Sequence, residues 1–245
     1  MPLNRRALHI FAVASYTAFL ASFSYFGALV LGLVAPRAST SAASALAIDG
    51  ALLAFFGVTH SFMARAPFKQ WLSRVVAPEA GRSVYVAVAS AQVALLVWQW
   101  RGVDGALIWH ATGALATALV IVQVSGFAIA LLSTFLVDHF ELFGLAQAFG
   151  RTKATSRFVT PLFYRLVRHP LYLGMLIALW CPPAMSIARL ALTIGFTIYV
   201  LVGARLEERD LVRDLGDDYR TYQDRVPMLL PWRGVRPSPG KSPAP

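Results

Sequence analysis

Long blocks of hydrophobic residues, separated by short polar stretches, dominate the chain. Six blocks occur, each roughly 16 to 26 residues long, close to the ~20 residues with which an α-helix crosses the hydrocarbon core of a bilayer. Their apolar positions are continuous and do not follow amphipathic spacing. The pattern predicts an all-α, polytopic membrane bundle with six transmembrane segments, at about 9–35, 45–64, 83–100, 112–137, 169–184 and 186–206.

The fifth and sixth segments are joined by the sequence CPPAMS, in which Pro182 and Pro183 stop a helix. We therefore expect these two segments to form a helical hairpin. The fifth segment is short and is interrupted by proline, so the alternative is five spans plus one re-entrant piece. With six crossings, both termini lie on the same side of the membrane.

Composition supports a membrane protein with one domain. Of the 245 residues, 57% are hydrophobic and 14% are charged, whereas soluble domains are nearer 25% charged. We assign residues 1–232 to a single membrane domain and the Pro-rich tail, 233–245, to a disordered segment. No cleavable signal peptide is evident. The single cysteine, Cys181, excludes an internal disulfide and any Cys-based metal site.

Basic residues define the predicted orientation. Of the 22 Lys and Arg residues, 19 fall at the termini and in the even-numbered loops, and only Arg37, Arg101 and Arg189 fall on the other side. Positively charged loops stay in the cytoplasm, so both termini are predicted to be cytoplasmic. The net charge of +10 is then a topogenic signal and an attraction to anionic lipids of the bilayer. It does not indicate nucleic-acid binding.

Ionisable side chains gather at this same predicted face, at the ends of five different segments. Such residues are costly at membrane depth and usually face a cavity or each other. The Asp138-His139-x-Glu141 grouping matches no strong metal signature, so we predict no metal. The clustered residues are His60, Arg65, Arg82, Asp138, His139, Glu141, Arg168, His169, Tyr172, Arg205, Glu207 and Glu208.

Two stretches have an ordinary structural interpretation beside the functional one. His169 and Tyr172 share a helical face, and together they are either a helix cap with an interfacial aromatic or part of a ligand site. The stretch from Leu206 to Arg225 is either a solvated, salt-bridged helix or an amphipathic helix over the cytoplasmic mouth of the bundle. Its apolar stripe is Leu211, Leu215, Tyr219 and Tyr222.

A combination of motifs in the C-terminal third resembles the isoprenylcysteine carboxyl methyltransferase superfamily: RHPLYLG, a prolyl hairpin, ARLEERDL and LGDDYRTYQDRVP. The stretches IDGALLAFFGVTHSFMARAPFKQW, RSVYV and STFLVDHFELFGL make the chain similar to the bacterial methanethiol S-methyltransferase family, with NnrU-type proteins as close relatives. The resemblance covers about residues 10–232. It implies a bacterial cytoplasmic-membrane enzyme that moves a methyl group from S-adenosylmethionine to a small thiol, methanethiol, giving dimethyl sulfide.

The resemblance also implies the site. Arg205 lies close to an arginine associated with the acceptor in relatives. The chain departs from the family at Thr59, Gly81, Asp138 and Ala146, where the family has Gln, Glu, Asn and Arg, and this leaves the acceptor open. The residues implied for donor binding are His169, Pro170, Leu171, Tyr172, Glu207 and Glu208.

Methyl transfer from a sulfonium is an in-line displacement that requires no metal and no covalent enzyme intermediate. The acceptor must reach its thiolate form, which Arg65, Arg82 or Arg205 would favour. Either His60 or His139 would accept the proton, and the sequence does not choose between them. Two alternatives remain: an NnrU-like membrane protein without methyltransferase activity, and a methyltransferase of this fold with another acceptor.

Overall fold

The computed structural model describes residues 4–39, 41–103, 105, 107–151 and 160–231. The predicted disordered tail, 233–245, lies outside the described residues. Within them the chain forms ten α-helices and one two-stranded antiparallel pair, β1 (Trp109–His110) with β2 (Ala184–Met185). The helices are α1 (Arg5–Val30), α2 (Ala42–Met63), α3 (Ala66–Val75), α4 (Pro78–Gln99), α5 (Gly113–Val137), α6 (His139–Leu142), α7 (Leu145–Ala148), α8 (Pro170–Trp180), α9 (Ile187–Leu215) and α10 (Asp217–Arg225).

Five helices are long and apolar enough to cross a membrane: α1, α2, α4, α5 and α9. They contain 22 to 29 residues, which at 1.5 Å per residue gives about 33 to 44 Å. They coincide with the first four predicted segments and with the sixth. The all-α membrane architecture predicted from the hydrophobic blocks is therefore confirmed.

The fifth predicted segment, 169–184, is not a helix of spanning length. Helix α8 has 11 residues, or about 16 Å. The structure therefore describes five helices of spanning length, and the choice between six segments and five plus a re-entrant piece stays a prediction. The chain leaves the helix at Cys181, because Pro182 and Pro183 supply no amide hydrogen. It then runs extended into β2, which pairs with β1 just before α5 begins. The short helix α8 thus packs against α5, and the extended stretch after it pairs with β1.

Helices α5 and α8 approach unusually closely through two glycines. A Cβ added to Gly174 would lie 2.5 Å from the carbonyl oxygen of Gly126 and 2.6 Å from the nitrogen of Ala130. A Cβ added to Gly126 would be 2.6 Å from the backbone of Gly174 and of Ala178. Small residues of this kind let membrane helices pack backbone to backbone, where lipid supplies no hydrophobic drive for association.

Buried polar side chains also join the helices. The Gln123 amide on α5 donates hydrogen bonds to the carbonyls of Val30 on α1, at 3.1 Å, and Ala178 on α8, at 2.9 Å. The Thr193 hydroxyl on α9 donates to the Leu179 carbonyl at 3.2 Å, so α8 and α9 form the predicted hairpin. Around these bonds lies an apolar core whose residues include Phe26, Phe56, Leu96, Trp100, Leu179 and Phe196.

The predicted amphipathic stretch consists of two helices. Helix α9 continues past the predicted end of segment six to Leu215, and Gly216, with φ 60°, ends it before α10. Tyr219, Tyr222 and Val226 form a buried cluster, against which Leu211 and Leu215 pack. The stripe expected from the spacing exists, but it is folded over a sharp turn and does not lie along one straight helix.

The close contact between α5 and α8 gives a test of the fold. We expect Gly174→Ala to lower the thermal unfolding midpoint in detergent, because its methyl group would overlap the backbone of α5. Gly203→Ala is the matched control, since a Cβ there would meet nothing within 4 Å. Alanine is about 1 kcal/mol better than glycine within a helix, so Gly203→Ala should hold or raise the midpoint. Equal midpoints for both variants would show that the close approach does not hold the helices together.

Candidate active site

A cavity of about 400 Å³ lies among α1, α2, α4, α5, α8 and α9. Its volume falls in the range of roughly 300–1,000 Å³ that is usual for small-molecule sites. The wall is mainly aromatic and aliphatic, and ionisable groups enter it from the ends of α2, α4 and α8 and from α9. Apolar lining residues include Phe23, Phe26, Phe56, Val93, Met175 and Phe196, and the ionisable ones are His60, Arg82, Tyr85, Tyr172, Tyr199 and Glu207.

Glu207 marks the open end of the cavity. Its side chain is 48% exposed, and its Oε2 accepts a hydrogen bond from the Tyr172 hydroxyl at 3.0 Å. Tyr172 sits in the first turn of α8, which Pro170 starts, and its ring stacks on that of His169 at 5.3 Å. A carboxylate and an aromatic face therefore stand together at an exposed edge of the cavity.

His60, Tyr85 and Arg82 form a second polar group in the wall. The Tyr85 hydroxyl and His60 Nε2 are 2.6 Å apart. The Arg82 guanidinium lies 5.0 Å from the centre of the Tyr85 ring, a cation–π arrangement. Arg82 Nε also donates to the carbonyl of Leu142 at 2.6 Å. Because Arg82 and Tyr85 are three residues apart on α4, both reach the same side of the helix.

Glu208 is bound by protein groups beside the cavity. Its Oε1 accepts from Arg168 Nε at 2.6 Å and lies 3.0 Å from His169 Nε2, while Oε2 accepts from Arg168 Nη2 at 3.1 Å and Gln223 Nε2 at 3.0 Å. Arg168 also donates to the carbonyls of Gln223 and Val226. This clamp joins three elements: the start of α8, the part of α9 around Glu208, and helix α10.

Three of the predicted catalytic residues lie outside the cavity wall. Arg65 pairs with Asp210 at 3.0 Å, and Arg205 is exposed on α9. His139 is 2% exposed and is held between two hydroxyls, with Tyr16 at 2.8 Å from Nε2 and Thr134 at 2.7 Å from Nδ1. Burial lowers the pKa of His139, which favours the neutral ring that such hydroxyl contacts suit.

The predicted donor-binding set divides in the same way. Leu171, Tyr172 and Glu207 line the cavity. His169 and Glu208 face each other beside it, and Pro170 is buried at the start of α8. The assignments of these residues to donor binding stay predictions. His169 and Glu208 contact each other behind the side chains that line the cavity.

Two lining tyrosines were not among the predicted site residues. Tyr85 follows Arg82 by one helical turn, and Tyr199 precedes Glu207 by about two turns on α9, so each shares a face with a predicted residue. A hydroxyl within an apolar run was the available signal for Tyr199. Among the residues that the structure describes, no group of three or more His, Cys, Asp and Glu side chains could hold a metal ion.

The protein is a helical membrane bundle that encloses a mainly apolar cavity with ionisable side chains at one edge. The chain belongs to the NnrU protein family, whose pattern matches residues 50–228. No solved structure matches it.

Several curated proteins are similar to this chain over nearly all of its length. It is 43% identical to Methanethiol S-methyltransferase 1 of Bradyrhizobium diazoefficiens over 91% of this chain and 82% of that protein. It is also 43% identical to Methanethiol S-methyltransferase of Mycobacterium tuberculosis, over 94% of this chain and 98% of that protein. Nurim of Rattus norvegicus is a more distant relative, 29% identical over 74% of this chain and 73% of Nurim.

The Glu208 clamp predicts a stability defect. Glu208→Gln leaves the Arg168 side chain, which is 11% exposed, without its anionic partner, and breaking a buried ion pair costs roughly 3 kcal/mol or more. We expect a clearly lower thermal unfolding midpoint in detergent. Asp217→Asn, which removes an exposed i,i+3 pair with Arg220, is the control and should leave the midpoint unchanged. An unaltered midpoint for Glu208→Gln would mean that the clamp does not secure α10.

Proposed function

We propose that this protein transfers the methyl group of S-adenosylmethionine to methanethiol and releases dimethyl sulfide. The observation that carries the proposal is the cavity, which joins a polar mouth to an apolar interior in a chain closely similar to proteins named methanethiol S-methyltransferase. When bound, the donor supplies an electrophilic methyl group on a sulfonium. The tasks left to the protein are to bind and orient both molecules and to remove the thiol proton.

The residues at the mouth suit such a donor. Glu207 can accept hydrogen bonds from an amine or a ribose hydroxyl, and the Tyr172 ring offers its face to a cation. Tyr172 is fixed by its bond to Glu207 and by stacking on His169. The clamp at Glu208 holds these two helix ends in place, so in this proposal His169 and Glu208 shape the donor site from behind.

The apolar interior suits methanethiol, which carries no charge in its thiol form. Holding both reactants in line can contribute several kcal/mol, up to roughly 7–11 in ideal cases. Of the three arginines considered for stabilising the thiolate, Arg82 lines the cavity, whereas Arg65 is paired with Asp210 and Arg205 is exposed. Of the two histidines, His60 lines the cavity. We therefore assign stabilisation of the thiolate charge to Arg82 and acceptance of the thiol proton to His60.

The proposed setting is the bacterial cytoplasmic membrane, with both termini and the mouth on the cytoplasmic side. The distribution of basic residues supports this orientation. The positions of the three basic residues predicted on the opposite side also support this orientation. Arg37 and Arg101 form a backbone bridge, and Arg189 donates to the Ala184 carbonyl beside β1. The extended stretch after α8 lets the chain reach that far end, which supports six crossings. The donor, which is made in the cytoplasm, then meets the mouth directly.

The direct test supplies purified protein in detergent with methyl-labelled S-adenosylmethionine and methanethiol. We expect labelled dimethyl sulfide in the headspace, and no loss of activity on adding a metal chelator, because the proposed chemistry uses no metal. Labelled product from a different thiol alone would show another acceptor. The absence of product with every thiol tested would favour a family member without methyltransferase activity.

A second prediction concerns the mouth. Tyr172→Phe removes the donor of the hydrogen bond at the mouth and Glu207→Ala removes its acceptor, and we expect each to raise the donor dissociation constant at least tenfold in calorimetric titration. Arg205→Ala is the control: this cation lies on the exposed face of the same helix, α9, and its loss should leave donor binding unchanged. If Arg205→Ala weakened binding and the two mouth variants did not, the donor would have to bind outside the cavity.

A further inference from the structure

Neither ring nitrogen of His60 is open to a molecule in the cavity. Nε2 is engaged by the Tyr85 hydroxyl at 2.6 Å. Nδ1 is buried and has no hydrogen-bond partner among the described residues. The ring itself is enclosed by Phe56, Tyr85 and Tyr199, with centroid separations of 5.1, 5.0 and 5.9 Å. A thiol in the cavity can therefore exchange a proton with His60 only through an intervening group.

Tyr85 is the group in the right place. Its side chain lines the same cavity and is already bonded to Nε2. A phenolic hydroxyl is one donor and also an acceptor, so its oxygen can meet a second partner while its hydrogen points to His60. The Arg82 guanidinium beside the ring favours negative charge that develops on the Tyr85 oxygen or on a neighbouring sulfur.

Building on the proposed function, we infer that Tyr85 is a catalytic residue that contacts the acceptor thiol and relays its proton to His60. The thiol S–H bond breaks and its proton goes to the Tyr85 oxygen, while the Tyr85 proton moves to His60 Nε2. The acceptor sulfur forms its new bond to the methyl group, and the electron pair of the broken S–CH₃ bond stays on the donor sulfur. After the products leave, His60 returns the proton to water through Tyr85.

The structure contains a second tyrosine–histidine pair that serves as an internal control. Tyr16 and His139 are 2.8 Å apart, but neither lines the cavity, and the other nitrogen of His139 is bonded to Thr134. Removing the Tyr16 hydroxyl breaks the same kind of bond, a tyrosine hydroxyl to a histidine Nε2. Any difference between the two phenylalanine variants therefore reports position relative to the cavity.

The experiment compares Tyr85→Phe with Tyr16→Phe in the methanethiol assay. General acid–base groups contribute about 10²–10⁴-fold to rates, so we expect Tyr85→Phe to lower kcat about 100-fold or more. Calorimetric donor binding should stay at the parent value. Tyr16→Phe should keep the parent kcat. A Tyr85→Phe variant with parental kcat would overturn the inference.

Changing the acidity of the acceptor thiol distinguishes a proton relay through Tyr85 from a purely structural role of this residue. In 2,2,2-trifluoroethanethiol the fluorines lower the thiol pKa, so thiolate forms in solution without help from the protein. The deficit of Tyr85→Phe should shrink with this acceptor, and it should also shrink with methanethiol as the pH is raised. A deficit of the same size for both acceptors and at every pH would contradict a proton relay.

Variants of His60 give an independent test of the proton relay. If the two residues act as one unit, His60→Asn should show the same acceptor and pH dependence, and the double variant should lose little more activity than either single one. Multiplying losses would overturn the relay. These results are distinct from failure of the proposed function, in which the parent protein itself would make no thioether from any thiol.

Discussion

A bundle immersed in lipid must satisfy its polar groups from within, and this constraint organises the molecule. Inside the bundle, the side-chain amide of Gln123 donates hydrogen bonds to two backbone carbonyls of neighbouring helices. At the end of the bundle, Glu208 is surrounded by Arg168, His169 and Gln223. A further set of ionisable side chains, among them His60, Arg82, Tyr85 and Glu207, lines a common cavity. The same constraint that limits where charge can sit therefore also concentrates reactive side chains in one place.

Much of the fold was predictable because hydrophobic length is a direct physical requirement of the bilayer. The five long helices follow from the apolar blocks, and the turn after α8 follows from Pro182 and Pro183. The end of α8 follows from the same two prolines. What the sequence could not show is that Ala184 and Met185 continue as a strand, because their pairing partners, His110 and Trp109, lie far away in the chain. The break at Gly216 was equally hidden within a stripe of regular spacing.

The site was predictable at the level of helix ends and not at the level of individual partners. Proximity along the chain could not reveal that Glu208 would be enclosed while its neighbour Glu207 opens to the cavity, because one residue turns a helical side chain by about 100°. His60 and His139 look alike in sequence, each near the end of an apolar segment. Each is bonded to a tyrosine from a distant part of the chain, Tyr16 for His139 and Tyr85 for His60. The difference is that His60 and Tyr85 line the cavity.

The proposed reaction requires that donor and acceptor meet in one cavity. The most direct measurement is an experimental structure of the purified protein in a lipid nanodisc with S-adenosylhomocysteine, the demethylated donor, bound. We expect the ligand to lie past Glu207 and Tyr172 with its sulfur pointing into the apolar cavity towards Tyr85. A ligand bound on the exposed face of α9 near Arg205, with the cavity empty, would contradict the proposed function.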